Sequence, residues 1–316
     1  MTSSGRRRAG IDVGGTKCLG VVIDSDGEVL QVERQPTPRD PDALIEVLAT
    51  MIGGFGDVDA IGVGVPGLVT REGVIRASPN LFDVRDLAVG SRLSERLARH
   101  VFVENDATCA AIAEWKSGVA MGRSDVVVVT LGTGIGGGIV ADGRVVRGRN
   151  GFAGEIGHMI VDPSGPRCPC GLHGCWERFA SGSALAARAR DLVSAGGGRA
   201  ILARAGSETD VRGEHVESAA MDGDAEALAV IDEFCRWVAM GLVNLANALD
   251  PELFVIGGGL ASTGDAYLPS IRNWFGRMLY APELRPHPTI ELARHRELAG
   301  AIGAAHLAEV DADGGH

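Results

Sequence analysis

The chain has 316 residues, with 30 Lys and Arg against 41 Asp and Glu, a formal net charge of −11 and 45% hydrophobic residues. This is an ordinary globular composition, long enough for one large domain or two medium ones, and it excludes a miniature disulfide scaffold. The acidic balance repels a nucleic-acid backbone, and only Arg6, Arg7 and Arg8 cluster, so no nucleic-acid partner is expected.

The opening MTSSGRRRAG has no apolar core of the kind a secretory signal needs. No stretch approaches the roughly eighteen apolar residues of a membrane span, so a cytoplasmic protein without membrane contact is expected. Residues 9–33, AGIDVGGTKCLGVVIDSDGEVLQVE, read as strand, glycine turn, strand, Asp26-Gly27 hairpin turn and third strand. A helical period follows over 42–54, then an apolar strand ending in glycine, DAIGVGVPGLV (59–69). VFVENDATCAA (101–111) is a strand entering a helix over 106–118. VVVVTLGTGIGGGIVADGRVVRG (126–148) repeats the order of the first segment, with its own glycine-rich turn and its own Asp142-Gly143 pair. Helices are predicted over 182–197 and 224–249, and ELFVIGGGLAS (252–262) is again a strand running into glycines. ELAGAIGAAHLAEV (297–310) is apolar and rich in small residues, which predicts a closely packed helix. The shared order makes the chain a duplicated α/β unit. Residues 1–121, joined by the helix 297–310, form the N-terminal domain, and 122–296 form a larger C-terminal domain carrying a cysteine loop within 158–177.

Asp12-Val13-Gly14-Gly15-Thr16-Lys17 sits between two apolar strands. Its glycines free backbone N–H groups for phosphate oxygens, Thr16 adds a hydroxyl, Lys17 adds charge, and Asp12 is placed to hold a metal-bound water. It is not a Walker A loop, because a strand rather than a helix follows. Gly132-Thr133-Gly134-Ile135-Gly136-Gly137-Gly138 contains a formal G-x-G-x-x-G, but the hairpin after it rejects a dinucleotide fold and leaves phosphate binding. The two turns together suit a nucleotide polyphosphate held across a cleft between similar domains.

Glu155-Ile156-Gly157-His158 precedes CPCGLHGCWE (168–177). His158 with Cys168, Cys170 and Cys175 makes a Cys3His tetrahedral zinc set, closed and therefore structural. His173 is a rival for the fourth ligand, and a redox role for the thiols is a second rival, disfavoured because C-x-C-x4-C lacks C-x-x-C spacing. Cys18, Cys109 and Cys235 read as core residues. Asn105 and Asp106 stand at the carboxyl end of a strand, where ligand residues of α/β folds gather, although Asp106 taken alone reads as a helix N-cap. Asn80 and Glu177 are further polar candidates.

DVGGTK, VEND, LGTGIGGG, E-x-G-H and C-x-C-G-x-x-G-C-x-E, in this order, resemble the ROK family of sugar kinases and repressors, and within it the bacterial ATP-dependent glucokinases. The resemblance runs from about residue 10 to 308 and implies the actin-like/hexokinase fold, two ribonuclease H-like α/β domains flanking a cleft. It implies transfer of phosphate from Mg2+-ATP to the 6-hydroxyl of glucose, with Asp106 as base. It implies sugar contacts from Asn80, Asn105, Asp106, Glu155, His158 and Glu177. Asp12, Gly14, Gly15, Thr16, Lys17, Gly132, Thr133 and Gly134 match its phosphate loops, and Gly257, Gly258 and Gly259 match a segment near adenosine. His158 there both touches the sugar and ligates zinc, and a homodimer or homotetramer is expected. Only about ten residues precede the first glycine loop, so the DNA-binding part of a ROK repressor is not expected. Ala107-Thr108-Cys109 and Ala113-Glu114-Trp115 depart from the common glucokinase pattern, which leaves other hexoses open: N-acetylglucosamine, N-acetylmannosamine, mannose or fructose. A non-catalytic sugar sensor and a polyphosphate donor are the remaining alternatives.

Overall fold

The computed structural model describes residues 6–78, 81, 84–262 and 264–313. The first apolar segments form an antiparallel meander of β1 (Arg8–Val13), β2 (Lys17–Ile23) and β3 (Val29–Pro36). α1 (Pro41–Gly54) follows, begun by Asp40, whose side chain accepts from Ala43 N–H, and by the proline that suits a first helical turn. β4 (Ala60–Val65) then pairs parallel with β1. β5 (Leu68–Val69), β6 (Val74–Ser78) and β7 (Val84–Ala88) make a small antiparallel sheet before α2 (Val89–Leu97). β8 (Phe102–Asn105) pairs parallel with β4 and leads directly into α3 (Asp106–Ser117). The first main sheet therefore has the order β3-β2-β1-β4-β8.

The second half repeats this plan. β9 (Val126–Leu131), β10 (Ile135–Ala141) and β11 (Arg144–Val145) form the meander. β12 (Leu253–Gly257) and β13 (Thr289–Leu292) add the parallel pair, giving β11-β10-β9-β12-β13. Between β11 and β12 come α4 (Glu177–Ala180), α5 (Gly182–Ser194), α6 (Arg199–Ala205), α7 (Gly213–Met221) and the 25-residue α8 (Ala225–Leu249); α9 (Leu268–Met278) precedes β13. No helix among the described residues is long and apolar enough to cross a membrane.

The chain resolves into two compact units, 1–128 with 137–154 and 293–316, and 129–136 with 155–292. The hairpin residues 137–154 group with the first unit. In that unit the segment after residue 297 is two helices, α10 (Ala299–Ala305) and α11 (Leu307–Asp313), where the sequence predicted one. The break is at His306. Its N–H bonds three residues back to the Gly303 carbonyl at 3.0 Å, and its imidazole is buried against Arg8 and Glu309. The small-residue pattern has a steric cause. A Cβ on Gly62 of β4 would lie 1.9 Å from the Ala304 carbonyl oxygen, and one on Gly303 would lie 1.6 Å from that of Cys109 in α3. α10 is thus seated backbone to backbone against β4 and α3.

Candidate active site

In the first unit the turn after β1 is closed by Gly14 N–H to Lys17 O at 2.9 Å. Thr37 holds it from outside, donating its hydroxyl to Gly14 O at 2.7 Å and its N–H to Thr16 O at 3.1 Å. Gly15, Thr16 and Lys17 are left exposed. Lys17 Nζ lies 3.2 Å from Glu297 Oε2, and Arg34 reaches the other oxygen of Glu297 at 2.9 Å. The cation proposed for phosphate is therefore paired with a carboxylate in this form.

Asp12, in β1, is the first acid of the site. A Cβ placed on Gly300, at the start of α10, would meet its Cγ at 2.6 Å, so the carboxyl group occupies the space that glycine leaves. Burial pushes its pKa up to about 7, the negative charge of Asp106 adds to the rise, and Lys17 opposes it. Asp106 is the first residue of α3, and burial raises its pKa as well. The backbone N–H groups of Ala107 and of Asp106 itself pull the other way. Two acids interacting in one partly enclosed place are a feature of functional sites.

The cap of α3 is Asn105, not Asp106. Asn105 Oδ1 accepts from Thr108 N–H at 3.0 Å, and Nδ2 donates to Gly67 O at 3.1 Å. One residue of shift changes the role: Asn105 satisfies the helix end, and the Asp106 carboxylate accepts only its nearest backbone N–H groups, Oδ1 taking that of Ala107 at 2.8 Å. Asn80 lies outside the described residues.

In the second unit the turn after β9 is closed by Gly132 N–H to Gly134 O at 3.0 Å, and Gly182 N–H bonds to Gly132 O at 2.8 Å. A Cβ on Gly134 would lie 2.7 Å from Glu177 Oε2, so only glycine lets this carboxylate lie against the loop. Gly258 has φ +82°, and a Cβ there would strike the Leu131 carbonyl oxygen at 2.5 Å. Gly132 to Gly134 and Gly257 to Gly259 are thus brought side by side at the ends of β9 and β12, with Thr133, Gly258 and Gly259 exposed.

Glu177 also joins this loop to the cysteines. Its Oε1 is 3.1 Å from Cys168 Sγ and 3.9 Å from His158 Nδ1, while His158 Nε2 is 3.9 Å from Glu155 Oε2. One donor atom from each of His158, Cys168, Cys170 and Cys175 lies within 4.8 Å of the others. Donors bonded tetrahedrally at about 2.0–2.3 Å stand roughly 3.3–3.8 Å apart, so this set fits a zinc ion after a small contraction. His173 is turned away, its Nδ1 3.2 Å from Gly165 O. The loop is held by Cys168 N–H to Leu172 O at 2.7 Å and by an Ile160–Cys175 bridge. Fully buried Trp176 anchors it, donating to the Trp237 carbonyl on α8 at 2.7 Å and lying where a Cβ on Gly241 would clash. Cys18, Cys109 and Cys235 are buried, as the sequence predicted for core residues.

Sequence reasoning missed Arg147, which reaches from beyond β11 to Glu104, the neighbour of Asn105. Its only signal was a charged residue directly after the apolar pair Val145-Val146, too common a pattern to single out.

The profile of the ROK family matches residues 8–310. A glucokinase of Streptomyces coelicolor is 37% identical over 306 residues, covering 95% of this chain and 96% of that one. An N-acetylmannosamine kinase of Salmonella typhi is 30% identical over 305 residues, covering 95% and 98%. The crystal structure of a ROK family glucokinase from Streptomyces griseus, in complex with glucose and AMPPNP, superposes with a TM-score of 0.86 at 37% identity, covering 95% of this chain and 98% of that one. The repeated strand order and the match along nearly the whole chain lead to one conclusion: this protein belongs to the ROK family and has its actin-like/hexokinase fold.

Proposed function

We propose that the chain transfers the γ-phosphoryl group of ATP to the 6-hydroxyl of glucose. The observation that carries this reading is the placement of two acids beside a turn whose Gly15, Thr16 and Lys17 are exposed: Asp12 is in register with Gly64, and a Cβ on Gly64 would lie 3.6 Å from the Asp106 Cα. Asp106 receives the hydroxyl proton at its carboxylate. Because the proton leaves late in phosphoryl transfer, a carboxylate needs only position and an ionised state. Gly14 to Lys17 and Gly132 to Gly134 offer N–H groups, hydroxyls and one ammonium to phosphate oxygens, with Gly257 to Gly259 towards the nucleoside. Asp12 would hold Mg2+, which would supply charge neutralisation at the phosphates. Asn105, Glu155, His158 and Glu177 supply acceptors and donors for sugar hydroxyls, and Asn80 is assigned to the same group. His158, Cys168, Cys170 and Cys175 would hold zinc, which supplies no step and fixes the loop carrying Glu177 and the His158 ring.

Glucose is favoured by the identity to the Streptomyces glucokinases. N-acetylmannosamine is the second reading, supported by the 30% identical Salmonella kinase. The test is release of ADP from Mg2+-ATP across glucose, mannose, fructose and the two N-acetylated hexoses. Release fastest with glucose, and absent without sugar, is expected. Fastest release with N-acetylmannosamine would replace the substrate, and no sugar-dependent release would overturn the kinase reading.

A further inference from the structure

β8 is the edge strand of its sheet, so the N–H groups on its outer side find no strand partner. For Asn105 the acceptor is the preceding residue's own side chain: Glu104 Oε1 takes the Asn105 N–H at 2.9 Å. The other Glu104 oxygen accepts from Arg147 Nε at 2.6 Å, and Arg147 Nη2 donates to Asp311 Oδ1 of α11 at 2.7 Å. The Glu104 side chain is 7% exposed and that of Arg147 19%. A buried ion pair is a poor source of stability, because desolvation offsets most of its attraction. What this pair does have is a place: it ends on the peptide N–H that precedes Asp106, at the point where strand becomes helix.

Arg147 also balances charge there. The buried thiol of Cys109, one turn into α3, is pushed up first by burial and then by Glu104, Asp12 and Asp106, and Arg147 opposes them. The guanidinium therefore acts on the same small region as both aspartates.

We propose that Arg147 is a positioning residue for the phosphoryl transfer, acting through Glu104 to fix the Asn105–Asp106 junction. This rests on the kinase reading above. Among the described residues, the Arg147 side chain bonds to Glu104 and Asp311, neither of them assigned to sugar or nucleotide, so its loss should move turnover rather than nucleotide affinity. Displacement of a reacting group by about 1 Å costs on the order of a hundredfold in rate.

The test is a double-mutant cycle on sugar-dependent ADP release. Arg147→Gln should lower kcat roughly 10- to 100-fold with the KM for ATP within about twofold. Arg147→Lys should recover part of the loss. Arg147→Gln combined with Glu104→Gln should be less impaired than Arg147→Gln alone, because the unpaired buried carboxylate is gone while the amide oxygen still accepts the Asn105 N–H. Hydrogen exchange at the Asn105 amide should quicken in Arg147→Gln. A folded Arg147→Gln protein, matched to wild type in melting temperature, with kcat within about twofold would overturn the proposal, as would additive losses in the cycle. If wild type itself releases no ADP with any sugar, the kinase reading fails and Asn105 exchange decides alone: quickened exchange upholds the Arg147–Glu104–Asn105 linkage, and unchanged exchange overturns it.

Discussion

Asp12→Asn should make the protein more stable at pH 8 while stopping turnover. The Asp12 pKa is raised from 3.8 to about 7, so the folded state binds the proton more tightly than the unfolded chain does. For a carboxyl group raised in this way, the folded state is least burdened below the unfolded pKa, and stability is lost as pH climbs from about 4 to about 7. Three pKa units at about 1.4 kcal/mol each set a ceiling of roughly 4 kcal/mol for the cost at pH 8. Partial exposure and relaxation around Gly300 bring the expected gain on substitution to about 2–3 kcal/mol. Urea midpoints of wild type and Asp12→Asn at pH values from about 4 to about 8.5 measure it. The curves should lie close together near pH 4, separate up to about pH 7 and keep that separation above it, with the variant above. Parallel curves, or a variant less stable at pH 8, would refute the reasoning that Asp12 is held in an unfavourable charged state.

Asp106→Asn should lower kcat by about 10²- to 10⁴-fold, the usual worth of a general base, with sugar binding by calorimetry largely kept. Near-wild-type turnover would remove Asp106 from the reaction. Elemental analysis should find one zinc per chain in wild type and in His173→Ala, and none in Cys175→Ser or His158→Ala. Zinc retained in His158→Ala but lost in His173→Ala would reverse the choice of fourth ligand. Chelation should weaken sugar binding more than nucleotide binding, because Glu177 and His158 belong to the cysteine loop.

Much of this was legible because local chemistry and fold agree. Apolar alternation broken by Gly14-Gly15, and again by Gly132 to Gly138, could only be strands joined by tight turns, and the repeat of that order foretold two sheets of the same strand sequence. The cysteine spacing carried the Cys3His cluster, because three thiols and an imidazole within eighteen residues, 158–175, make a donor set that could hold a metal ion. What the sequence left open is what depends on three-dimensional placement. His158 was preferred on paper with His173 as its rival, and only the fold shows that the His158 ring lies among the three thiols while His173 Nδ1 lies 3.2 Å from Gly165 O. Asp106 read as a cap because Asn105 and Asp106 are both good caps, and the strand end fixed which one served. The pairing of Lys17 with Glu297 joins residues 280 positions apart. Arg147, Glu104 and Asp311 likewise meet only once the hairpin, the edge strand and the last helix are assembled.

The most direct test of the central claim is the product itself. The chain is incubated with Mg2+-ATP and glucose, and the sugar is examined by phosphorus and proton NMR. The account predicts one phosphate ester at carbon 6 for every ADP formed, with none from the Asp106→Asn protein. Phosphate on another carbon, or ADP accompanied by inorganic phosphate and unmodified glucose, would contradict it.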